Sequence, residues 1–449
     1  MNIHQRRLIV ITFIALFLTA APIVVLYTSG YRYNWQKKKV EQVGVLMLNI
    51  LPADANLYLN NELLPTQRPL RLSSLLPNYY QVRAGKDGYH NWQKNLEIKA
   101  RESTLVYDIV LFKNVSPQLL ENGPVTQFSL SPDESTVLIQ KLNTLWLMDL
   151  KIGVKKLHTI LLYTINQPTI KWSPNGKWII DDDETGTNFV IVNIEKEKNF
   201  NWQEFSLGSI SEPEWTTDSE HIYGLVESQN RALYEINFQT NTKRKLIDGP
   251  IDDYAAADDE IFFIKNLADK TVLYRYRELA LPIIEQKIEE IAVLPKGNYH
   301  FGEINNNEVL ALNDKNQIFL INPTDKQTPI IKLNGSAAVW GKGEKNNYLY
   351  YFDQSEIWAL DLKTKQSAMT ARYSDGVAQV LPAPNKPYYL SLVNGNLQVS
   401  ELDDRGERNV VTLFDKAEAT TIQIDSAGKN VYLLIKNNAY QELYRLETQ

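Results

Sequence analysis

One phrase recurs along most of this chain and leaves it few ways to fold. Its first copy, Phe128 to Leu150, reads as an apolar strand, a Ser-Pro-Asp turn, a second strand, a short turn, and a third strand ending in an acid. The strand-turn-strand part returns at 170–180, 213–225, 254–264, 301–312, 338–352, 379–392 and 422–435, each time followed by a further apolar strand. Counted from Val125, Pro168, Ser211, Asp252, Tyr299, Ala337, Ala378 and Thr421, the spacings are 43, 43, 41, 47, 38, 41 and 43 residues. Each copy is too small to bury its own faces and can cover them only against its neighbours. Three or four short strands every 42 or so residues is therefore the pattern of a β-propeller.

Most repeats carry a more polar fourth strand, such as Lys243-Arg244-Lys245-Leu246-Ile247, but the eighth ends at Gln449 without one. Ser116 to Asn122 (SPQLLEN) precedes the first repeat and has the same character. It is expected to complete the last sheet and so remove two open edges. The expected architecture is all-β, with a propeller over 114–449 of eight blades, seven being the alternative count.

Ahead of the repeats, 1–7 reads as a short cytoplasmic tail ending in Arg6 and Arg7. Residues 8–26 follow without a charge, enough helix for about 28 Å, close to the thickness of a bilayer core. This reads as a single transmembrane helix, with Tyr27, Tyr31, Tyr33 and Trp35 in the following linker, 27–43, where interfacial aromatics belong. A cleaved signal peptide is the competing reading, but the apolar run continues through Pro22, past the Thr19-Ala20-Ala21 stretch that imitates a cleavage site. Arg32 and Lys37 to Lys39 pull against a cytoplasmic N-terminus; the layout of an uncleaved export signal favours it.

Residues 44–113 alternate short strands with turn residues, as a small β-sandwich does. Pro52-Ala53-Asp54-Ala55 before Leu57-Tyr58-Leu59-Asn60-Asn61, then Pro69 to Leu72, Tyr80 to Ala84, and Lys86-Asp87-Gly88-Tyr89 through Trp92, resemble the PEGA domain. Ala53-Asp54 stand where that family has Glu-Gly, and Asn61 where a Gly is usual. The resemblance implies an exported, often membrane-tethered module beside other binding domains. It brings no catalytic residues, and Pro52, Ala55, Gly88 and Tyr89 are read as structural, with Gly88 serving a positive-φ turn.

Ser131-Pro132-Asp133 and Ser173-Pro174-Asn175-Gly176-Lys177 resemble the Ser-Pro-Asp-Gly-Lys repeat of TolB-like, WD40-like propellers. These turns are likewise read as architecture. So are Trp172, Trp215 and Trp340 at the ends of first strands, and Asp149, Asn193, Asn237, Asn322 and Asp361 at the ends of third strands, because repetition around a ring is what packing demands.

Catalytic and metal signatures are missing from the sequence. There is no cysteine, which excludes disulfides, thiolate metal sites and thiol nucleophiles. The five histidines, at 4, 90, 158, 221 and 300, form no metal-binding pair. No Gly-x-Ser-x-Gly occurs. Gly335 to Lys342 imitates a phosphate loop but has one residue too many between its glycines and lies across a strand. The acidic turns Asp181-Asp182-Asp183-Glu184 and Asp252-Asp253 with Asp258-Asp259-Glu260 invite calcium, yet the twelfth position of the first loop is Val192, which cannot ligate. A net charge of −6 speaks against a phosphate backbone as partner.

The sequence thus points to a membrane-anchored, extracytoplasmic binding or scaffold protein, without a cofactor, that offers a propeller to a protein or cell-surface glycan. The alternative is an exported propeller hydrolase acting on polysaccharide, whose paired carboxylates would come from different blades and leave no local signature.

Overall fold

The computed structural model describes residues 3–35, 37–141, 144–153, 155–158, 169–182, 189–196, 198–205, 207–257, 260–279, 285–306, 308–325, 329–416, 418–437 and 440–449. Two compact units emerge. The first comprises Met1–Val115 with Val399–Leu413 and Thr448–Gln449, the second Ser116–Gln398 with Phe414–Glu447.

The first unit begins with a 26-residue helix, Ile3–Thr28, which runs unbroken through Pro22. Its Gln5–Thr28 portion is long and apolar enough to cross a membrane, as a span or a signal sequence would be, and none of it is buried in the protein. Two sheets follow. Leu70–Leu75, Gly44–Leu51 and Ser103–Val110 form one, with Gly44–Leu51 antiparallel to the first and parallel to the last. Glu62–Leu63, Asn56–Leu59, Asn78–Gly85 and Trp92–Ile98 form the other. Leu46, Leu48 and Ile50 from one sheet and Val82, Ala84, Leu96 and Ile98 from the other meet in a single core. Asn60 and Asn61 both adopt positive φ, +48° and +70°, which a tight two-residue hairpin turn requires and Asn tolerates.

Trp92–Ile98 alternates strictly between buried and exposed positions, and Lys94 falls on the buried side with no exposed surface. A lone ammonium there would be prohibitively costly. Its Nζ instead lies 2.7 Å from the Glu401 carboxylate and donates to the Asp403 carbonyl at 2.5 Å. Glu401 accepts further bonds from Trp92 Nε1 at 3.0 Å and the Asn409 amide at 2.7 Å. Burial raises the Glu401 pKa, against the pull of Lys94 and Trp92.

The second unit realises the repeats. Among the described residues eight four-stranded sheets follow in chain order, with first strands at Gln127–Leu130, Thr169–Trp172, Ile210–Trp215, Asp253–Ala257, Tyr299–Phe301, Ala337–Trp340, Val377–Pro382 and Ala419–Ile424. The apolar core is divided into layers between successive sheets. Phe128 and Ile139 of the first meet Tyr432 and Leu434 of the eighth, Leu138 and Leu145 meet Ile179 and Val190 of the second, and Ile180 and Ile191 meet Ile222 and Ile236 of the third. Second strands are consequently buried on both faces, as Trp178–Asp182 and Tyr388–Val393 are along their whole length.

Gln118–Glu121 pairs with Tyr440–Glu447, setting Gln118 opposite Arg445 and Leu119 opposite Tyr444. The start of the unit thus supplies the fourth strand of its last sheet. In the second sheet the fourth strand is short. The edge strand is Asn199–Asn201, and a short 3-10 turn, Trp202–Phe205, follows, held by Glu204 Oε1 accepting from the Asn201 amide at 3.0 Å.

Deleting residues 116–122 should expose the edge of Tyr440–Glu447 and lower the thermal midpoint on the order of 10 °C. Calorimetry with an unchanged midpoint would contradict the closing role of this strand.

Candidate functional site

The first strands are stitched to one another by hydrogen bonds that cross from sheet to sheet. Trp172 Nε1 donates to Ser129 Oγ at 3.1 Å, Trp215 Nε1 to the Lys171 carbonyl at 2.9 Å, and Trp340 Nε1 to the Glu303 carbonyl at 2.5 Å. An indole at the end of a first strand reaches back and satisfies an acceptor on the preceding sheet, which is why tryptophan recurs there. Other side chains do the same elsewhere. Tyr254 Oη donates to the Glu212 carbonyl, Asp253 accepts from the Phe301 amide, and Asn346 donates to the Ala383 carbonyl. The Gln379 amide group makes two bonds to the backbone of Ile422, and Gln423 bonds the backbone of Phe128 and Leu130. Every junction from the first sheet round to the eighth, and from the eighth back to the first, has such a link.

The repeat turns are built from local caps. Ser131 Oγ donates to Asp133 Oδ1 at 2.6 Å and accepts from the Thr136 amide, while Ser173 Oγ donates to Asn175 Oδ1 at 2.8 Å and accepts from the Trp178 amide. Pro132 and Pro174 sit inside these turns, and Gly176 takes φ +68° where Glu134 takes +56°. In the third sheet Thr216 and Asp218 make the same turn with different letters. Burial opposes ionisation of Asp218, but bonds from Thr216, Glu220 and His221 lower its pKa to about 2. Asp149, Asn193, Asn237, Asn322 and Asp361 each accept from the amides two and three residues on. In the first unit the Ala55 amide bonds the Pro52 carbonyl and Ala55 enters the core; Gly88 has φ +79°, and Tyr89 packs against that core.

The first strand of the third sheet shifts register with its second strand between Ser211 and Glu214, as the first strands of the seventh and eighth sheets also do; what sets it apart is Glu212, whose φ of +53° is the only positive φ in a first strand among the described residues. Such a bulge re-aims side chains. Glu214 bonds Lys171 Nζ at 2.7 Å, and Lys171 also lies 3.8 Å from buried Asp182 of the second sheet. Glu212 bonds Arg231 at 3.0 Å, and Arg231 also holds Glu227 at 2.8 Å and the carbonyls of Ile251 and Asp252. On the fourth sheet Asp253 accepts from the Tyr254 and Phe301 amides at 2.7 and 2.9 Å. Burial first, and the neighbouring Glu212 carboxylate second, still raise its pKa. The sequence offers no signal for this cluster beyond the acids themselves, because the bulge that gathers them has no fixed spelling.

Asp181 is 2% exposed and its Oδ1 has no hydrogen-bond partner. Burial, reinforced by Asp182, raises its pKa to about 7. Asp183, Glu184, Gly186, Asp258 and Asp259 of the acidic turns lie outside the described residues. Among the described residues no group of three or more His, Asp or Glu is arranged to hold a metal ion. His221 Nδ1 lies 2.7 Å from Asp218, His300 is exposed 3.9 Å from Asp253, and desolvation lowers the pKa of half-buried His90. The side chains of His4 and His158 lie outside the description.

No protein-family model matches the chain, and no curated protein matches it. Solved structures do. The crystal structure of a eukaryotic initiation factor aligns with a TM-score of 0.50 at 12% identity, over 75% of this chain and 90% of that one. The β-propeller domain of Cps50 (Swd1) from Myceliophteria thermophila aligns at 0.42 with 12% identity, over 75% and 99%. At such identity the likeness is one of fold, and with the sheet order above the chain is an all-β protein with a β-propeller.

Two outcomes are expected. Trp215→Phe keeps the ring and removes only the donor to Lys171, and should cost about 1 kcal/mol in denaturant unfolding. For Asp181 the folded state binds its proton more tightly than the unfolded state, so this residue's contribution to stability is intact below about pH 4 and is lost as pH rises towards 7. Asp181→Asn should flatten that dependence and gain at most about 4 kcal/mol at pH 8. Parallel pH–stability curves for the two proteins would refute it.

Proposed function

We propose that this protein is a membrane-anchored, extracytoplasmic binding or scaffold protein. In this reading the N-terminal helix is a single span with its N-terminus in the cytoplasm, the PEGA-like first unit is a spacer, and the TolB-like propeller is presented to a protein or a cell-surface glycan. The observation that carries the binding role is the pairing of the acids around the third-sheet bulge. Asp182 and Glu214 share Lys171, and Glu212 is held by Arg231. Carboxylates held by cations on rigid strands make a fixed polar surface, suited to sugar hydroxyls or to the polar side chains of a protein. The fold supports the same reading, since closed propellers hold side chains from several sheets in fixed relation.

The full chain, solubilised in detergent and immobilised, should retain a specific membrane protein or cell-wall glycan from the native cells. A Glu212→Gln, Glu214→Gln double variant with an unchanged melting profile should retain it at least several-fold less. Equal retention by both proteins would sink the assignment of this surface.

A further inference from the structure

The segment that joins the helix to the sheets of the first unit carries apolar surface that no described residue covers, beside a surplus of basic side chains. The helix stops at Thr28, Gly30 turns at φ +80°, and the chain enters a two-stranded hairpin, Tyr31–Asn34 against Lys39–Gln42. The junction is tied on several sides. The Arg32 guanidinium donates to the Tyr27 carbonyl at 2.7 Å and lies 3.5 Å over the Tyr27 ring. The Val43 amide donates to the Gly30 carbonyl at 2.9 Å, Gln42 Nε2 to the Ser29 carbonyl at 3.2 Å, and Lys37 Nζ to the Pro77 carbonyl at 3.2 Å.

Register sorts the hairpin's side chains. Tyr33 stands opposite Val40 and Asn34 opposite Lys39, so Tyr33, Trp35 and Val40 share one face while Asn34 and Glu41 share the other. The second face is satisfied internally: Asn34 is buried, its Nδ2 donates to Glu41 at 2.7 Å, and Lys39 pairs with Glu41 at 2.8 Å. The first face is bare. Trp35 is 82% exposed and touches Tyr33 edge-on at 4.8 Å, and Tyr33 and Val40 are exposed beside it. In the hairpin Arg32, Lys37, Lys38 and Lys39 outnumber the single acid Glu41, which Lys37 and Lys39 approach at 3.7 and 2.8 Å, and Lys38 stands exposed at the tip with φ +50°.

We propose that this hairpin is a lipid-headgroup platform, its Tyr33, Trp35 and Val40 face bedded in the interfacial layer of the bilayer that the helix enters and its lysines engaging anionic phospholipids. The inference rests on the reading of that helix as a span. Continuity selects the occupant: only Ser29 and Gly30 separate the helix from the hairpin, so the bare face lies within a few residues of any membrane the helix crosses. Chemistry selects it as well, because Trp and Tyr settle at the headgroup level and clustered basic residues are drawn to anionic lipid surfaces.

The absence of cysteine makes the test direct. Leu16→Cys, Val40→Cys and Lys243→Cys, the last on an exposed edge strand, each give one site for a nitroxide label on the full chain. The labelled proteins are reconstituted in phosphatidylcholine vesicles with and without 30% phosphatidylglycerol. Accessibility to a water-soluble paramagnetic relaxant should be several-fold lower at Val40 than at Lys243 when phosphatidylglycerol is present. That protection should fall in pure phosphatidylcholine and in a Lys37→Gln, Lys38→Gln, Lys39→Gln variant, and also in Trp35→Ala. A Leu16 label exposed to the aqueous relaxant would mean that the helix does not span. A lipid-immersed Leu16 label with Val40 as accessible as Lys243, or with protection indifferent to lipid charge and to the lysines, would overturn the platform while leaving the span intact.

Discussion

A four-stranded sheet that is apolar on both faces cannot stand alone in water, and the sheets of the second unit are of that kind. Ile179 and Ile180 are neighbours on one strand, yet each is buried, one against the first sheet and the other against the third. The hydrophobic term is therefore collected between sheets rather than within them, at roughly 25 cal/mol for each square ångström removed from water. A series of such layers has two bare ends unless it closes on itself. Phe128 and Ile139 of the first sheet, packed on Tyr432 and Leu434 of the eighth, cover both ends, and the pairing of Gln118–Glu121 with Tyr440–Glu447 ties the start of the unit to its last sheet, while Trp172, Trp215, Trp340 and Gln423 bond from sheet to sheet.

The same constraint decides what was legible in the sequence. Repetition showed because the packing demand repeats: the period, the strand-ending tryptophans and the third-strand Asp and Asn residues stand out without any structure. The closing strand was legible by subtraction, since the last repeat lacked a piece that Ser116 to Asn122 could supply. Departures from the repeat were not legible. The bulge at Glu212 has no sequence signal, nor has the shortness of the second sheet's fourth strand, Asn199–Asn201, after which Glu204 accepts from the Asn201 amide in a 3-10 turn. Lys94 misleads in the other direction: a lysine inside an alternating strand reads as an error in the pattern until residues 401 and 403 provide its charge partners.

Charge is distributed in this protein by local pairing rather than by a field. The acids of the third-sheet bulge each meet a cation or backbone amides, whereas the basic residues of the hairpin after the helix outnumber their one acid. An overall balance of −6 therefore conceals a surplus of the opposite sign at one end of the chain. Net charge describes partners poorly when the two signs are segregated along the sequence.

The buried lysine also sets an order of events. Trp92 and Glu401 are 309 residues apart, as are Lys94 and Asp403. A ribosome adding residues one by one delivers this strand, Trp92–Ile98, 309 residues ahead of these partners. Until then Lys94 must stay hydrated, and the inward face of that strand cannot close around it. A nascent chain cut short between Lys94 and Glu401 carries an unpaired cation on the strand whose inward face should close the core.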